Sequence, residues 1–288
     1  MPKKPPTVRE VLHSLREIIG GDSPALDASL ITAHILGCSR EKLFLEPDMP
    51  VTSAQNDSIH HMAKLRSSGY ALAYLVGSKE FFGHDFIIDQ RVLVPRPDTE
   101  VLVETAIDFI KKHLCSKKEP QVLDLCCGSG CIGISVAAEL PNINLTLADI
   151  DQNALEIARA NAQRILAKTT KTDFIHSDLL QSVNGRFDVI LSNPPYVSTE
   201  EFKKYSMERW GEPRHALVAG SDGLEIISRL ADTITGSMCQ NGLFAMEAAD
   251  HQADFISRQL KKQGFHTIRH ILDLAGRKRV TAAQWPKN

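Results

Sequence analysis

A chain of 288 residues with 43% hydrophobic positions can bury one large core and a second, smaller one. Its net charge is −2 at pH 7 and its pI about 6.6, whereas proteins that grip duplexes draw on a basic surface to neutralise phosphates. Direct nucleic-acid binding is therefore not expected. No apolar run approaches the ~18 residues of a membrane span, and Met1-Pro2-Lys3-Lys4-Pro5-Pro6 leads into a charged segment rather than the apolar core of a secretory signal. A soluble, cytoplasmic protein with no membrane partner is expected.

Thr7 and Glu10 have the spacing of a capping box, and Val8, Val11, Leu12, Leu15, Ile18 and Ile19 form an apolar stripe that stops at Gly20-Gly21. A second helix starts at Ser23-Pro24, carries Leu26, Leu30, Ile31, Ile35 and Leu36, and ends before Gly37. A third is predicted from about Ser53 to Leu65, stopping near Gly69. Residues 1–75 thus read as a small helical domain.

Short strand-like runs follow at Phe81-Phe82, Phe86-Ile87-Ile88 and Val92-Leu93-Val94, with Gly83-His84-Asp85 as the turn of a hairpin. Residues 76–95 are read as a β-hairpin linker. Pro95-Arg96-Pro97 ends extended structure, and a helix is predicted from about Asp98 to Leu114.

From Gln121 strands and helices alternate. Strands are predicted at 121–125, 144–149, 172–176, 187–192 and 242–247, and helices at 131–140, 152–166, 223–235 and 250–263. Two further strands, near 267–273 and 278–284, follow each other with no helix between them. The expected fold class is α/β, a seven-stranded, mostly parallel, doubly wound sheet over residues 96–288 whose last strand runs antiparallel.

Six cysteines are present: Cys38, Cys115, Cys126, Cys127, Cys131 and Cys239. Cys126-Cys127 with Cys131 invites a metal reading, but there is no second pair and no histidine at ligand spacing. The plainer reading is small thiols in a tight turn, and no metal is expected.

Val122-Leu123-Asp124-Leu125 reads as a buried strand followed by Cys126-Cys127-Gly128-Ser129-Gly130, with a helix opening near Cys131. Gly128, Gly130 and Gly133 fit G-x-G-x-x-G, a pattern that lets the chain turn sharply and a ligand approach the backbone. Asp149 ends the next strand. A carboxylate there can accept from both hydroxyls of a ribose, or it can cap the helix near Gln152; Asp151 is the better cap. His176-Ser177-Asp178 ends the third strand. Asp178 can reach an adenine amino group with Leu179 against the ring, or it too can be a cap.

Asn193-Pro194-Pro195-Tyr196 follows the buried strand Phe187-Asp188-Val189-Ile190-Leu191-Ser192. Two prolines hold φ near −65° and donate no hydrogen bonds, so the corner is stiff and offers carbonyls. Asn193 Oδ1 and the Pro194 carbonyl can accept both hydrogens of one NH2 group, while Tyr196 packs on or orients the planar group. Such a clamp suits methylation of a conjugated nitrogen, whose lone pair is delocalised and whose charge must be stabilised as it attacks.

These residues resemble those of class I S-adenosylmethionine-dependent methyltransferases that modify planar amino groups. Leu26-Asp27-Ala28, Ala73-Tyr74-Leu75-Val76-Gly77, Glu80-Phe81-Phe82-Gly83, the run from Val92 through Glu100, Glu212-Pro213-Arg214, Gly220 with Asp222-Gly223-Leu224, and Asp273-Leu274-Ala275-Gly276-Arg277 narrow the resemblance to the release-factor glutamine methyltransferases, over nearly the whole chain. The resemblance implies S-adenosyl-L-methionine as cofactor and N(5)-methylation of the glutamine in the Gly-Gly-Gln tip of peptide chain release factors, by a monomer. It implies a cofactor site formed by Cys126, Cys127, Gly128, Ser129, Gly130, Asp149, Leu179 and Asn193, to which the strand-end reading above adds Asp178. It assigns the substrate glutamine to Asn193, Pro194, Pro195 and Tyr196. It also puts Arg96, Thr99 or Glu100 near the methionyl end of the cofactor, although Arg96 can equally be one half of a structural ion pair. The family usually has glycine where Cys126 stands, and often where Ala248 stands. The competing readings are a ribosomal-protein glutamine methyltransferase and a DNA adenine methyltransferase; an oxidoreductase with the same glycines would give Asn193-Pro194-Pro195-Tyr196 no task.

Overall fold

A computed structural model describes residues 4–21, 23–206 and 211–286; Met1 to Lys3, read above as part of the N-terminus, lie outside them. The chain divides into two compact units, Met1–Ser78 with Lys204–Gly211, and Lys79–Lys203 with Glu212–Asn288.

The first unit is helical. In α1 (Val8–Ile19) the predicted capping box is closed: Glu10 N donates to Thr7 Oγ1 at 3.3 Å, and Thr7 N donates to the Glu10 carboxylate at 2.7 Å. Gly20 ends the helix. Then come α2 (Pro24–Leu36), α3 (Arg40–Leu45), α4 (Ser53–Ser67) and α5 (Leu72–Val76). The two short helices α3 and α5 were not predicted, since so few residues cannot display a helical period. Val11, Leu15, Ile31, Leu43 and Ile59 form the centre of the core, each worth roughly 1.5–3 kcal/mol of burial. Asp27 of α2 is buried and accepts from Arg66 Nε of α4 at 2.7 Å, which gives the Leu26-Asp27-Ala28 segment a structural role.

The second unit begins with a hairpin, β1 (Ser78–Phe81) and β2 (His84–Ile87). Its turn is Phe82-Gly83, with φ of 50° and 74°, rather than the predicted Gly83-His84-Asp85. A two-residue turn with both φ positive matches the twist of the flanking strands. Val92-Leu93-Val94 forms no strand. Its valines are buried, but the Val94 N–H donates to Glu212 Oε1 at 3.2 Å instead of to a neighbouring strand.

A 3₁₀ turn over Pro97–Thr99 leads into α6 (Glu100–His113). The sheet domain then runs β3 (Gln121–Leu125), α7 (Cys131–Glu139), β4 (Asn144–Asp149), α8 (Gln152–Ile165), β5 (Lys171–His176) and β6 (Phe187–Ser192). It continues with α9 (Thr199–Ser206), α10 (Glu225–Thr233), β7 (Met238–Glu247), α11 (Ala253–Lys262), β8 (His266–Leu272) and β9 (Lys278–Gln284). Helix α9 was not predicted, yet its signal is in the sequence: Ser198 and Glu201 form a capping box, with Ser198 N to Glu201 Oε2 at 2.9 Å and Glu201 N to Ser198 Oγ at 3.1 Å.

Strand order is β5-β4-β3-β6-β7-β9-β8. The pairs from β5 to β7 are parallel, and β9 runs antiparallel to both β7 and β8, as expected for the last strand. The chain moves outward from β3 through β4 to β5, and in the opposite direction from β6 through β7. Connections leaving β3 and β6 therefore diverge, which opens a crevice at the carboxyl ends of these two strands. Both are nearly wholly buried, and all six residues of β6 are buried.

Candidate active site

The loop after β3 is held from behind by its own backbone. Cys127 N donates to the Ala148 carbonyl at 3.1 Å and Gly130 N to the Cys127 carbonyl at 2.7 Å. Gly128 N donates to Asp149 Oδ2 at 2.8 Å, and Gly133 N to Asp124 Oδ2 at 2.8 Å. Gly130 has φ of +77°, and a Cβ there would lie 2.7 Å from Ile134 Cδ1. A Cβ on Gly133 would lie 2.9 Å from Leu145 Cδ1 and 3.0 Å from Asp124 Cβ. The first glycine permits the turn and the last lets α7 pack against the sheet. Burial pushes the Asp124 carboxyl up to about 7, against the Gly133 hydrogen bond that lowers it. Asn161 of α8, fully buried, ties the loop to the hairpin: its Nδ2 donates to the Ser129 carbonyl at 2.9 Å and its Oδ1 accepts from Ile87 N at 2.7 Å. Nothing in the local sequence marks Asn161, because its partners are distant in the chain.

Cys126, Cys127, Gly128 and Ser129 line a cavity over the crevice, as do Asp149, Asn193 and Pro195. Cys126 adopts φ of 57°, the left-handed conformation that the usual glycine takes without strain. Burial raises the thiols of Cys126, Cys127 and Cys131, the last to about 12, so they are inert, neutral walls. Among the described residues no group of three His, Cys, Asp or Glu side chains is arranged to hold a metal ion.

Asp149 has more structural work than the sequence suggests. Besides Gly128 N, it accepts from Asp151 N at 2.9 Å, while Asp151 itself caps α8 by accepting from Asn153 N at 2.8 Å. Each Asp149 oxygen thus uses one lone pair on the backbone and keeps one. Burial raises its pKa, and the two backbone hydrogen bonds lower it.

Asp178 and Leu179 are placed differently. Asp178 Oδ2 accepts from Arg229 Nη2 at 2.6 Å, and Leu179, with φ of 49°, is buried in the sheet domain's core; neither lines the cavity. The wall beyond Asp149 is formed by Ile150, Ala154 and His215, whose Nε2 lies 3.2 Å from Asp151 Oδ2.

On the other side, Asn193 Nδ2 donates to Thr99 Oγ1 at 3.4 Å. Among the described residues neither Asn193 Oδ1 nor the Pro194 carbonyl accepts a hydrogen bond. Pro194 is buried and does not line the cavity. Tyr196 turns its hydroxyl away, donating to Glu247 Oε1 at 3.1 Å, and its carbonyl accepts from Gln252 Nε2 at 2.9 Å. Burial first, then the Glu247 charge, raises the Tyr196 hydroxyl, which stays protonated.

Of the residues around Pro95, Arg96 and Thr99 line the cavity. Arg96 pairs with the buried Glu212 carboxylate, so it is an ion-pair member as well as a wall of the site. Glu100 faces elsewhere: its Oε1 accepts from Phe82 N at 3.1 Å in the hairpin turn. Asp98 accepts from Arg277 at 3.1 Å and from Arg279 at 2.9 Å, which anchors the 3₁₀ turn.

Known proteins match this architecture. The PrmC N-terminal domain model matches residues 8–77 and the methyltransferase small domain model residues 100–214. The "Release factor glutamine methyltransferase" of Rhodopirellula baltica is 38% identical over 270 residues, covering 92% of this chain and 90% of that protein. The protein of the same name in Bordetella pertussis is 35% identical, covering 90% and 94%. Among solved structures, the hMettl16 catalytic domain in complex with MAT2A 3'UTR hairpin 1 superposes with a TM-score of 0.57 at 17% identity, covering 78% of this chain and 80% of that one. A methyltransferase from Pyrococcus furiosus gives 0.51 at 19%, covering 72% and 91%. The two structural likenesses speak for the class I methyltransferase fold alone, whereas the sequence relatives cover the helical unit and the sheet domain together. This chain belongs to the release factor glutamine methyltransferase family.

Proposed function

We propose that this chain methylates the side-chain amide nitrogen of the glutamine in the Gly-Gly-Gln motif of peptide chain release factors, using S-adenosyl-L-methionine and giving N(5)-methylglutamine and S-adenosylhomocysteine. The cofactor, when bound, supplies an electrophilic methyl group on a sulfonium. The residues present suit it: Asp149 keeps a lone pair on each oxygen for vicinal hydroxyls, Ile150 and Ala154 offer an apolar wall for a flat base, and Arg96 brings a cation to the rim. The main-chain loop Cys126 to Gly130 lets a ligand approach closely.

The observation that carries the reading is the orientation of Asn193. Its NH2 is tied to Thr99, which leaves Oδ1 as an acceptor in a residue that lines the cavity. With the Pro194 carbonyl it can hold both hydrogens of a primary amide. Holding them orients the nitrogen lone pair and stabilises the positive charge that develops there. No strong base is required, because the nitrogen proton becomes acidic once the new bond forms. Among the described residues no helix is long and apolar enough to cross a membrane, which accords with a cytoplasmic enzyme acting on translation factors. The test is incubation of the purified protein with a release factor and S-adenosyl-L-methionine, followed by peptide mass spectrometry. One methyl group on the Gly-Gly-Gln glutamine is expected; an unmodified tip peptide would reject the assignment.

A further inference from the structure

Residues 212–219 form an arch that is fixed at both ends. At one end Glu212 pairs with Arg96 and accepts from Val94 N at 3.2 Å. At the other, Val197 N donates to the Leu217 carbonyl at 2.9 Å, and the Val197 carbonyl accepts from Ala219 N at 2.9 Å. Between them a 3₁₀ turn over Arg214–Ala216 carries His215 into the wall of the cavity. The runs that support the family resemblance do not include His215: Glu212-Pro213-Arg214 stops one residue short of it.

His215 meets the loop after β4. Its Nε2 lies 3.2 Å from Asp151 Oδ2, an ion pair when the imidazole is protonated. Asp151 divides its carboxylate: Oδ1 accepts from Asn153 N at 2.8 Å to cap α8, and Oδ2 faces His215. The Asp151 N–H donates to Asp149 Oδ1 at 2.9 Å, which puts the histidine beside the carboxylate assigned to the ribose. Ile150, between the two aspartates, is 59% exposed, and its carbonyl lies 2.8 Å from His176 Nε2. It lines the same cavity as His215. An uncovered isoleucine on a held backbone, in a wall that also carries a flat imidazole, suits a flat and largely apolar ring.

We propose that His215 is a cofactor-binding residue: the adenine base of S-adenosyl-L-methionine packs against its imidazole, which the arch holds at the base end of the cavity. This deepens the cofactor assignment for the cavity and rests on it, but does not depend on which protein receives the methyl group. Aromatic side chains, histidine included, stack on any base through its π face. Such a contact depends on the flat ring and not on its charge. A bare ion pair with Asp151 depends on the charge and not on the ring. Substitution therefore separates the two roles.

The test is calorimetry on the full-length protein, comparing the parent with His215→Ala and His215→Phe. The ligands are S-adenosylhomocysteine and methylthioadenosine, which keeps the base and ribose but lacks the amino acid. The His215 side chain is 56% exposed, so both variants are expected to melt with the parent. His215→Ala is expected to weaken both ligands by the same factor, roughly 5–20-fold, in the lower part of the range for one stacked base because solvent reaches the ring. His215→Phe keeps a flat ring and is expected to stay within about twofold of the parent. In the parent, the His215 ring signals in NMR, identified by their absence from His215→Phe, are expected to move when methylthioadenosine is added. Equal affinities in His215→Ala and the parent, or an unmoved ring signal, would overturn the proposal. So would a loss confined to S-adenosylhomocysteine, which would put His215 at the amino-acid end, or an equal loss in His215→Phe, which would reduce it to a charge beside Asp151. A parent that binds neither ligand defeats the cofactor placement and the proposal with it; a parent that binds both while the variants match it defeats the proposal alone.

Discussion

Gly223 runs directly under Tyr196. A Cβ at Gly223 would lie 2.3 Å from the Tyr196 carbonyl oxygen and 2.9 Å from Gln252 Nε2, at a φ of +75°. Gln252 joins the two, donating to the Tyr196 carbonyl at 2.9 Å and to the Gly223 carbonyl at 3.2 Å. The corner that presents Asn193 is thus braced against a glycine thirty residues further along the chain. Gly223→Ala is expected to lower stability by about 2–4 kcal/mol and to lower kcat, because the intruding methyl must displace backbone rather than a flexible side chain. Urea denaturation and turnover measured on the same preparation check both effects; a variant as stable and as active as the parent would show that the brace is dispensable.

Asn193→Ala removes one of the two acceptors while leaving the glycine loop and Asp149 in place. Loss of a single preorganised polar group at a reacting centre costs about 100-fold or more in kcat. Cofactor affinity is expected to be largely retained. Single-turnover kinetics with calorimetry separates the two, and near-normal turnover would count against the clamp.

Asp149→Ala is expected to do two things at once. It removes the carboxylate assigned to the ribose hydroxyls, so cofactor affinity falls. It also strips Gly128 N and Asp151 N of their acceptor, at a cost of about 1–3 kcal/mol for each buried donor left unpaired. Calorimetry and thermal melting check the pair. Unchanged affinity alongside a lowered melting temperature would reduce Asp149 to a structural role.

Arg96→Ala leaves Glu212 buried with no cation beside it. Removing one partner of a buried pair is costly, and because Arg96 is itself 39% exposed the expected loss is about 2 kcal/mol rather than the full value for a dry pair. Adding Glu212→Gln should recover part of that stability. If the double variant regains stability but not cofactor affinity, Arg96 serves the ligand as well as the fold; recovery of both would make it structural alone.

Asp124 gives stability a pH dependence. Its carboxyl is raised to about 7 in the folded chain, against 3.8 for an unperturbed aspartate. Between those values the folded state holds a proton that the unfolded state has released, so the unfolded state binds fewer protons and stability falls as pH rises. The group costs nothing below pH 4, and its penalty grows to a few kcal/mol by about pH 7, where it levels off. Asp124→Asn cannot ionise. Its stability relative to the parent should therefore improve steadily from pH 4 to 7, as read by denaturant titration at several pH values. A constant difference across that range would show that Asp124 is not protonated in the fold.

Much of the architecture was legible in the chain. The strands 121–125, 144–149 and 187–192 and the helix beginning at Gln152 lie where the apolar runs and the Asp151 cap put them. The parts that were missed share a cause. Helices α3 and α5 are too short to show a period, and the hairpin turn uses Phe82 at a positive φ that no pattern rule anticipates for a phenylalanine. Val92-Leu93-Val94 has the composition of a strand, but a buried carboxylate from distant Glu212 serves its backbone.

The sequence by itself determined the alternation of strands and helices, the glycine turn after β3 and the stiff proline corner after β6, because each follows from the backbone freedom or burial preference of neighbouring residues. Only the tertiary structure decided which polar groups meet. Asp178 is paired with Arg229, Asp149 holds the loop as well as lining the cavity, Thr99 accepts from the Asn193 amide, and Glu247 accepts from the Tyr196 hydroxyl. Such partnerships depend on the order in which strands lie side by side, and local sequence carries no record of that order.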